Sequence, residues 1–164
     1  MPKPEPRPRI LCLDDDADVC RAFVRTFRGR YEVTTAVAAE ESLEVIGRGE
    51  TFAVIVTDLQ MPGMDGLAFL VRARELAPDS IFVLLTGHAE TDVAIRAVNE
   101  GRVYRFLTKP CPPEVLRQTL KEAVRKHEKV RRLTSFTYAV HVEQGRIVRT
   151  LSLIHISEPT RLRR

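Results

Sequence analysis

Thr51-Phe52-Ala53-Val54-Ile55-Val56-Thr57-Asp58-Leu59-Gln60-Met61-Pro62-Gly63-Met64-Asp65-Gly66 decides how this chain is read. An apolar run ends in a carboxylate, and a Pro/Gly turn follows at once. A short apolar run bounded by turn residues reads as a strand buried on both faces. Such strands belong to parallel sheets covered by helices. In open α/β folds, ligands and chemistry gather just beyond the carboxyl ends of the strands. Asp58 is placed there. Desolvating a carboxylate is costly, so this one needs a metal, a partner or a reaction.

Upstream, Ile10-Leu11-Cys12-Leu13 is a second apolar run, stopped by Asp14-Asp15-Asp16. Val19, Ala22, Phe23, Thr26 and Phe27 recur at helical spacing, and Gly29 closes that helix. Tyr31 to Thr35 is a run of β-formers. Ala38 to Ile46 reads as a helix with Leu43 and Ile46 inward. Downstream of the opening stretch, Leu67, Leu70, Val71, Arg74 and Leu76 form a third helix, ended by Pro78. Ser80 to Gly87 is a fourth strand with a hydroxyl, Thr86, near its end. Val93, Ala94, Ala97 and Val98 mark a helix stopping near Gly101, and Val103 to Thr108 is a fifth strand running into Lys109-Pro110. Pro110, Pro112 and Pro113 exclude helix before Glu114. A fifth helix follows to about Leu133, with Val115, Leu116, Leu120, Ala123 and Val124 on one side. Five strand–helix alternations predict an α/β fold with a parallel sheet and right-handed crossovers.

Bulk properties bound the rest. A chain of 164 residues holds one full domain and a short remainder. No apolar run approaches the roughly 20 residues of a membrane span, so no membrane partner is expected. Residues 1–8 carry four prolines and no apolar segment follows them, which reads as a disordered lead and not a secretory signal. Three cysteines at irregular spacing make no disulfide framework and no zinc pattern. The cytoplasm is the simplest compartment. The net charge of +4 sits on the ends and on the fifth helix, which is the pattern of a solvated face and not of a base-reading element.

The strand tips bring acids, a hydroxyl and a lysine to one edge. Bare carboxylates at Asp14, Asp15 and Asp58 would repel one another unless one protonates or a hard cation joins them. Oxygen-only ligation suits magnesium, which also binds phosphate oxygens. A carboxylate nucleophile, magnesium, a hydroxyl and the Lys109 ammonium compose a phosphoryl-transfer site. A flavin-binding sheet is the bland alternative, and no Gly-rich phosphate loop supports it.

Asp14-Asp15, Asp58 with Met61-Pro62-Gly63-Met64-Asp65-Gly66, Thr86-Gly87 and Lys109-Pro110 together resemble the receiver domain of two-component response regulators. The resemblance covers residues 9–129. It implies a flavodoxin-like, doubly wound (βα)5 fold with strand order 2-1-3-4-5. It implies that Asp58 accepts a phosphoryl group from a histidine kinase or histidine phosphotransfer protein. It further implies that Asp15 and Asp58 bind Mg2+, with Asp14 assisting and the backbone carbonyl of Gln60 as a further ligand. Thr86 would hydrogen-bond the phosphoryl oxygens, Lys109 would pair with them, and Phe106 matches the aromatic switch position. The face made by helix four, strand five and helix five would be the two-state surface and the face of a homodimer. Gln60 and His88 stand where this family tunes the lifetime of the acyl phosphate. Asp16 reads as a solvated start to helix one. A receiver that binds partners without phosphorylation is the weaker alternative, because the whole acidic, hydroxyl and lysine set is present.

Residues 130–150 read as a linker and the start of an output module. Tyr138, Val140 and Val142 alternate, Gln144-Gly145 turns, and Ile147 and Val148 follow, which predicts a β-hairpin. The phrase Val142 to Val148 resembles the first strands of PAS sensory domains. Asn99 to Phe106 resembles receivers joined to HD-GYP-type phosphodiesterases. Leu151 to Arg161 resembles the translation of a sequencing-library adapter, so 151–164 are expected to be an artefact and the output region to be cut short. Arg161, Arg163 and Arg164 less Glu158 carry +2 of the net +4, leaving +2 for the first 150 residues. A DNA-binding transcriptional regulator and an enzyme-type regulator both remain open as the full-length protein, and nucleic acid is a partner only in the first.

Overall fold

The computed structural model describes residues 6–87, 91–134, 140–143 and 146–149. The chain falls into two compact units, Met1–His127 and Glu128–Arg164. In the first, strands and helices alternate as β1 (Arg9–Leu13), α1 (Ala17–Phe27), β2 (Glu32–Ala36), α2 (Ala39–Gly47), β3 (Val54–Asp58), α3 (Gly66–Leu76), β4 (Ile81–Thr86), α4 (Thr91–Asn99) and β5 (Arg105–Thr108), and α5 (Pro113–Thr134) begins there and ends in the second. The five strands make one parallel sheet in the order β2-β1-β3-β4-β5. This is the flavodoxin-like, doubly wound arrangement that the motifs imply.

The centre of the sheet is apolar on both faces. All five residues of β3 and all six of β4 are buried. Ile10, Leu11, Cys12 and Leu13 of β1 are fully buried beside them. Phe52, Ile55, Phe69, Leu70, Phe82 and Leu84 form the middle of the core. Burying one such side chain stabilises the fold by about 1.5–3 kcal/mol. At the opposite edge from the strand tips, Arg9 pairs with Glu32 (3.0 Å) and Glu50 (2.5 Å) and lies 4.9 Å from the centre of the Phe52 ring.

Three sequence expectations need correction in detail. Val71 and Leu76 of α3 and Val115 of α5 are about half exposed, although the spacing counted them with the inward faces. Apolar residues recur on more than one face of these helices, and Phe69 and Ala73 take the core positions of α3. Helix α5 begins at Pro113, not after it. A proline fits the first helical position, where its missing N–H has no intrahelical partner to lose. Strand β5 begins at Arg105, two residues later than expected; Val103 is still tied to α4 through its N–H on the Ala97 carbonyl (3.3 Å).

The second unit contains a hairpin of β6 (Val140–Glu143) and β7 (Arg146–Arg149), antiparallel, with Glu143 opposite Arg146. The hairpin is as the alternation predicts. Its turn at Gln144-Gly145, the lead residues 1–5, His88 and the adapter-like stretch lie outside the described residues. Among the described residues no helix is long and apolar enough to cross a membrane.

Candidate functional site

Sheet register builds the site. Leu13 of β1 stands beside Thr57 of β3, so Asp14 and Asp58 follow at the same level. Asp58 stands beside Leu85 of β4, and Thr86 is one step on. Thr86 stands beside Thr108 of β5, and Lys109 comes next. Four chemically active side chains from four strands therefore meet at one edge without any long loop to place them.

The loops after the strands are pinned by their own backbones. Asp14 donates its N–H to the Ala36 carbonyl (3.2 Å), and its Oδ1 accepts from the N–H of Asp16 (3.0 Å). Asp16 caps α1, its carboxylate accepting from the Asp18 N–H (2.8 Å). An acid at a helix N-terminus satisfies an orphan donor and suits the dipole. After β3, Leu59 donates to the Leu85 carbonyl (2.9 Å) and Gly66 donates to the Leu59 carbonyl (2.9 Å). Asp65 caps α3 by accepting from the Ala68 N–H (2.7 Å). After β5, the Lys109 N–H bonds the carbonyl of Thr86, the last residue of β4 (2.8 Å). The Lys109–Pro110 peptide is cis.

Gly66 is a site residue whose role the motif alone did not explain. A Cβ there would stand 2.2 Å from the Asp58 carbonyl oxygen and 2.9 Å from the Leu59 Cα. Both are backbone atoms and cannot swing away. The first residue of α3 must be glycine for the helix to start this close to the Asp58 backbone. The signal was present as a glycine eight residues after the acid, but only the packing shows what it touches.

Asp14 is 1 % exposed and Asp58 8 %, while Asp15 is exposed. One carboxylate oxygen from each of the three lies within 4.8 Å of the others. Asp58 Oδ1 accepts from the Gln60 N–H (3.2 Å). Its Oδ2 accepts from Lys109 Nζ at 2.6 Å, and the same ammonium donates to Asp14 Oδ2 at 2.7 Å. Lys109 thus bridges two buried acids. Burial pulls its pKa down, but hydrogen bonds and charge from Asp14 and Asp58 outweigh that and leave it raised. Thr86 is fully buried, and its hydroxyl donates to the Gly87 carbonyl (3.1 Å). Phe106 is half-buried on β5 and packs against the core.

The structure therefore gathers Asp14, Asp15, Asp58 and Lys109 directly, sets Gln60 beside Asp58 through its backbone, and puts Thr86 one residue past Asp58's neighbour on β4. The buried cysteines support the site without joining it. Cys20 donates its thiol to the Asp14 carbonyl (3.4 Å). The Cys12 thiol is pushed well up by its hydrogen bond with Cys20 and by burial, which keeps it unreactive. Beside the acids, a groove of about 560 Å³ runs between the β3–α3 loop and the first turn of α4, walled by Leu59, Met61, Pro62, Leu67 and Val93 with Asp15 at its rim.

Comparison with known proteins agrees with this geometry. The family model described as response regulator receiver domain matches residues 10–121. The hydrogenase transcriptional regulatory protein HoxA of Bradyrhizobium diazoefficiens is 33% identical over 147 residues, 88% of this chain. The chain spans only 30% of that relative's length. A crystal structure titled as adenylate cyclase from Rhodopirellula baltica is 35% identical, with a TM-score of 0.75 over 76% of this chain and 93% of that one. The crystal structure of a response regulator receiver domain protein from Clostridium thermocellum is 26% identical, with a TM-score of 0.70 over 75% of this chain and 98% of that one.

Proposed function

The chain belongs to the response regulator receiver domain family, and on that premise we propose that Asp58 is its phosphoacceptor, supplied by a histidine kinase or histidine phosphotransfer protein. The single observation that carries this is the Lys109 ammonium held at 2.6 Å from Asp58 and 2.7 Å from Asp14. A cation so placed stands where it can pair with the phosphoryl oxygens that an Asp58 oxygen would take up.

The donor set fits magnesium. Asp14, Asp15 and Asp58 offer oxygen alone, within a 4.8 Å cluster, and one of the three is open to solvent. Asp15 and Asp58 would hold the ion, with Asp14 assisting and the Gln60 carbonyl as a further ligand. When bound, the ion neutralises charge on the phosphoryl oxygens and on the carboxylates.

The chain's own residues do the rest. An Asp58 oxygen attacks phosphorus as the bond to the donor's nitrogen breaks, and that electron pair leaves with the donor. The acyl phosphate so formed no longer presents the same carboxylate charge to Lys109, whose hydrogen bonds pass to the phosphoryl oxygens. The Thr86 hydroxyl turns to those oxygens. Phe106, half-buried on the neighbouring strand, follows inward. The face of α4, β5 and α5 is thereby biased between two states and offers itself to a second copy or to the output module.

For the full-length protein we propose transcriptional regulation, since HoxA is a transcriptional regulatory protein and its similarity extends over 88% of this chain. Residues 9–129 are the receiver, 130–150 begin the output region, and 151–164 are the adapter-derived tail. Incubation with acetyl phosphate and Mg2+ should add one phosphoryl group to the chain and none to Asp58→Asn. Equal labelling of the variant would remove Asp58 from its role.

A further inference from the structure

Strand β3 carries one buried hydroxyl. Val54, Ile55 and Val56 are apolar, and Thr57 follows them, fully buried, immediately before Asp58. Valine has the same branched shape and would fill the same space. A buried hydroxyl without a partner costs free energy, so the partner of Thr57 is informative. Its Oγ1 donates to the backbone carbonyl of Asp58 (2.9 Å). That carbonyl stands where the pairing with β1 stops. The β1–β3 register closes at Leu13 and Thr57, and the N–H of Asp14 turns instead to the Ala36 carbonyl (3.2 Å). The same carbonyl is the atom that α3 approaches, since a Cβ on Gly66 would stand 2.2 Å from it. The other end of this peptide is held as well, because the Leu59 N–H donates to the Leu85 carbonyl (2.9 Å). The Asp58–Leu59 peptide is thus fixed at both polar ends, by the Thr57 hydroxyl and by β4. Gln60 then donates its N–H to Asp58 Oδ1 (3.2 Å). Turning the peptide about the Asp58 Cα–C bond would carry that donor with it, so the orientation of the carbonyl passes to the carboxylate.

We infer that Thr57 is a positioning residue for Asp58: its hydroxyl fixes the Asp58–Leu59 peptide and, through the Gln60 N–H, aims the carboxylate at the edge where Lys109 meets it. The inference rests on Asp58 being the phosphoacceptor. A positioned reaction loses rate steeply as its geometry loosens, whereas a hydroxyl that does no more than satisfy itself leaves the rate of the folded chain untouched.

Two variants separate positioning from packing, because the two roles rank them in opposite order. Thr57→Val keeps the shape and removes the hydroxyl, while Thr57→Ser keeps the hydroxyl and removes a methyl. Phosphoryl uptake from acetyl phosphate and Mg2+ is followed by mass spectrometry without denaturant. The rate should fall about fivefold in Thr57→Val, the equivalent of one neutral hydrogen bond, and stay within about twofold of the natural chain in Thr57→Ser. Ile81→Val is the control for lost stability. Ile81 is buried at the far end of β4, and its shortening lowers the urea midpoint about as much as one lost hydrogen bond does; its uptake should equal that of the natural chain. A 13C-labelled chain reads the bond itself: the Asp58 carbonyl resonance should move upfield in Thr57→Val and hold its place in Thr57→Ser. Natural uptake in Thr57→Val, a loss in Thr57→Ser as large as in Thr57→Val, an equal loss in Ile81→Val, or an unmoved carbonyl resonance in Thr57→Val each overturns the inference. No uptake by the natural chain, or equal uptake by Asp58→Asn, is a different failure: it removes Asp58 as phosphoacceptor before Thr57 is altered, and the positioning role falls with it.

Discussion

Replacing Gly66 by alanine should damage the site from behind. The new methyl would stand 2.2 Å from the Asp58 carbonyl oxygen and 2.9 Å from the Leu59 Cα. Ordinary carbon–oxygen contacts lie near 3.3 Å, so α3 must retreat by about 1 Å. Overpacking of this kind costs about 1–3 kcal/mol. The Gly66 N–H to Leu59 carbonyl bond, 2.9 Å long, stretches as the helix withdraws, at a cost of about 0.5–1.5 kcal/mol. Restricting the unfolded chain returns about 0.4–1 kcal/mol. The balance is a loss of about 2 kcal/mol, or about 1 M in the urea midpoint at a slope of about 2 kcal/mol/M. Gly29→Ala is the control, because nothing lies within 4 Å of its Cβ position; its stability should move by no more than about 0.5 kcal/mol, or about 0.25 M in the midpoint at the same slope. Asp58 sits on the backbone that is pushed, and a misplacement of about 1 Å lowers a positioned reaction by about 100-fold. The rate of phosphoryl uptake from acetyl phosphate should fall accordingly. An unchanged midpoint together with an unchanged uptake rate would refute the close-approach reasoning.

Other perturbations test separate parts of the account. Lys109 has a raised pKa in the fold, so its stabilising effect is complete below the unfolded lysine value of about 10.4 and fades as pH rises through the folded value; urea midpoints taken upward from about pH 10.4 should fall more steeply for the natural chain than for Lys109→Met. Magnesium at about 100 times its dissociation constant should stabilise the chain by about 2.7 kcal/mol, seen as a rise in the urea midpoint that Asp15→Asn largely removes. Ser42 Oγ is buried with no hydrogen-bond partner among the described residues, so Ser42→Ala should raise stability by about 1 kcal/mol in the same assay.

The fold was legible because its central strands are apolar without interruption. Val54 to Val56 and Ile81 to Leu85 are buried on both faces, and only a sheet covered on both sides gives that pattern. The order of acids, hydroxyl and lysine at the tips then carried the site. Helix faces were harder to read. Val71 and Val115 are apolar yet half exposed, and an apolar residue costs little on a surface, so spacing alone does not say which stripe is buried. The least legible feature was the reach of Lys109, 95 residues from Asp14 in sequence and 2.7 Å away in space. Nothing local encodes that pairing; it follows from strand order and register. Gly66 and Thr57 were visible as residues but not as contacts, since both act on backbone atoms that carry no sequence signal.

One measurement goes directly to the central claim. The chain is treated with acetyl phosphate and Mg2+, reduced with borohydride, digested and sequenced by mass spectrometry. Reduction converts an aspartyl phosphate to homoserine and leaves free carboxylates alone. Homoserine should be found at position 58, with Asp14, Asp15 and Asp65 intact. Homoserine at any of those three with Asp58 unmodified, or no homoserine despite phosphoryl uptake, would contradict the assignment of Asp58 as the phosphoacceptor.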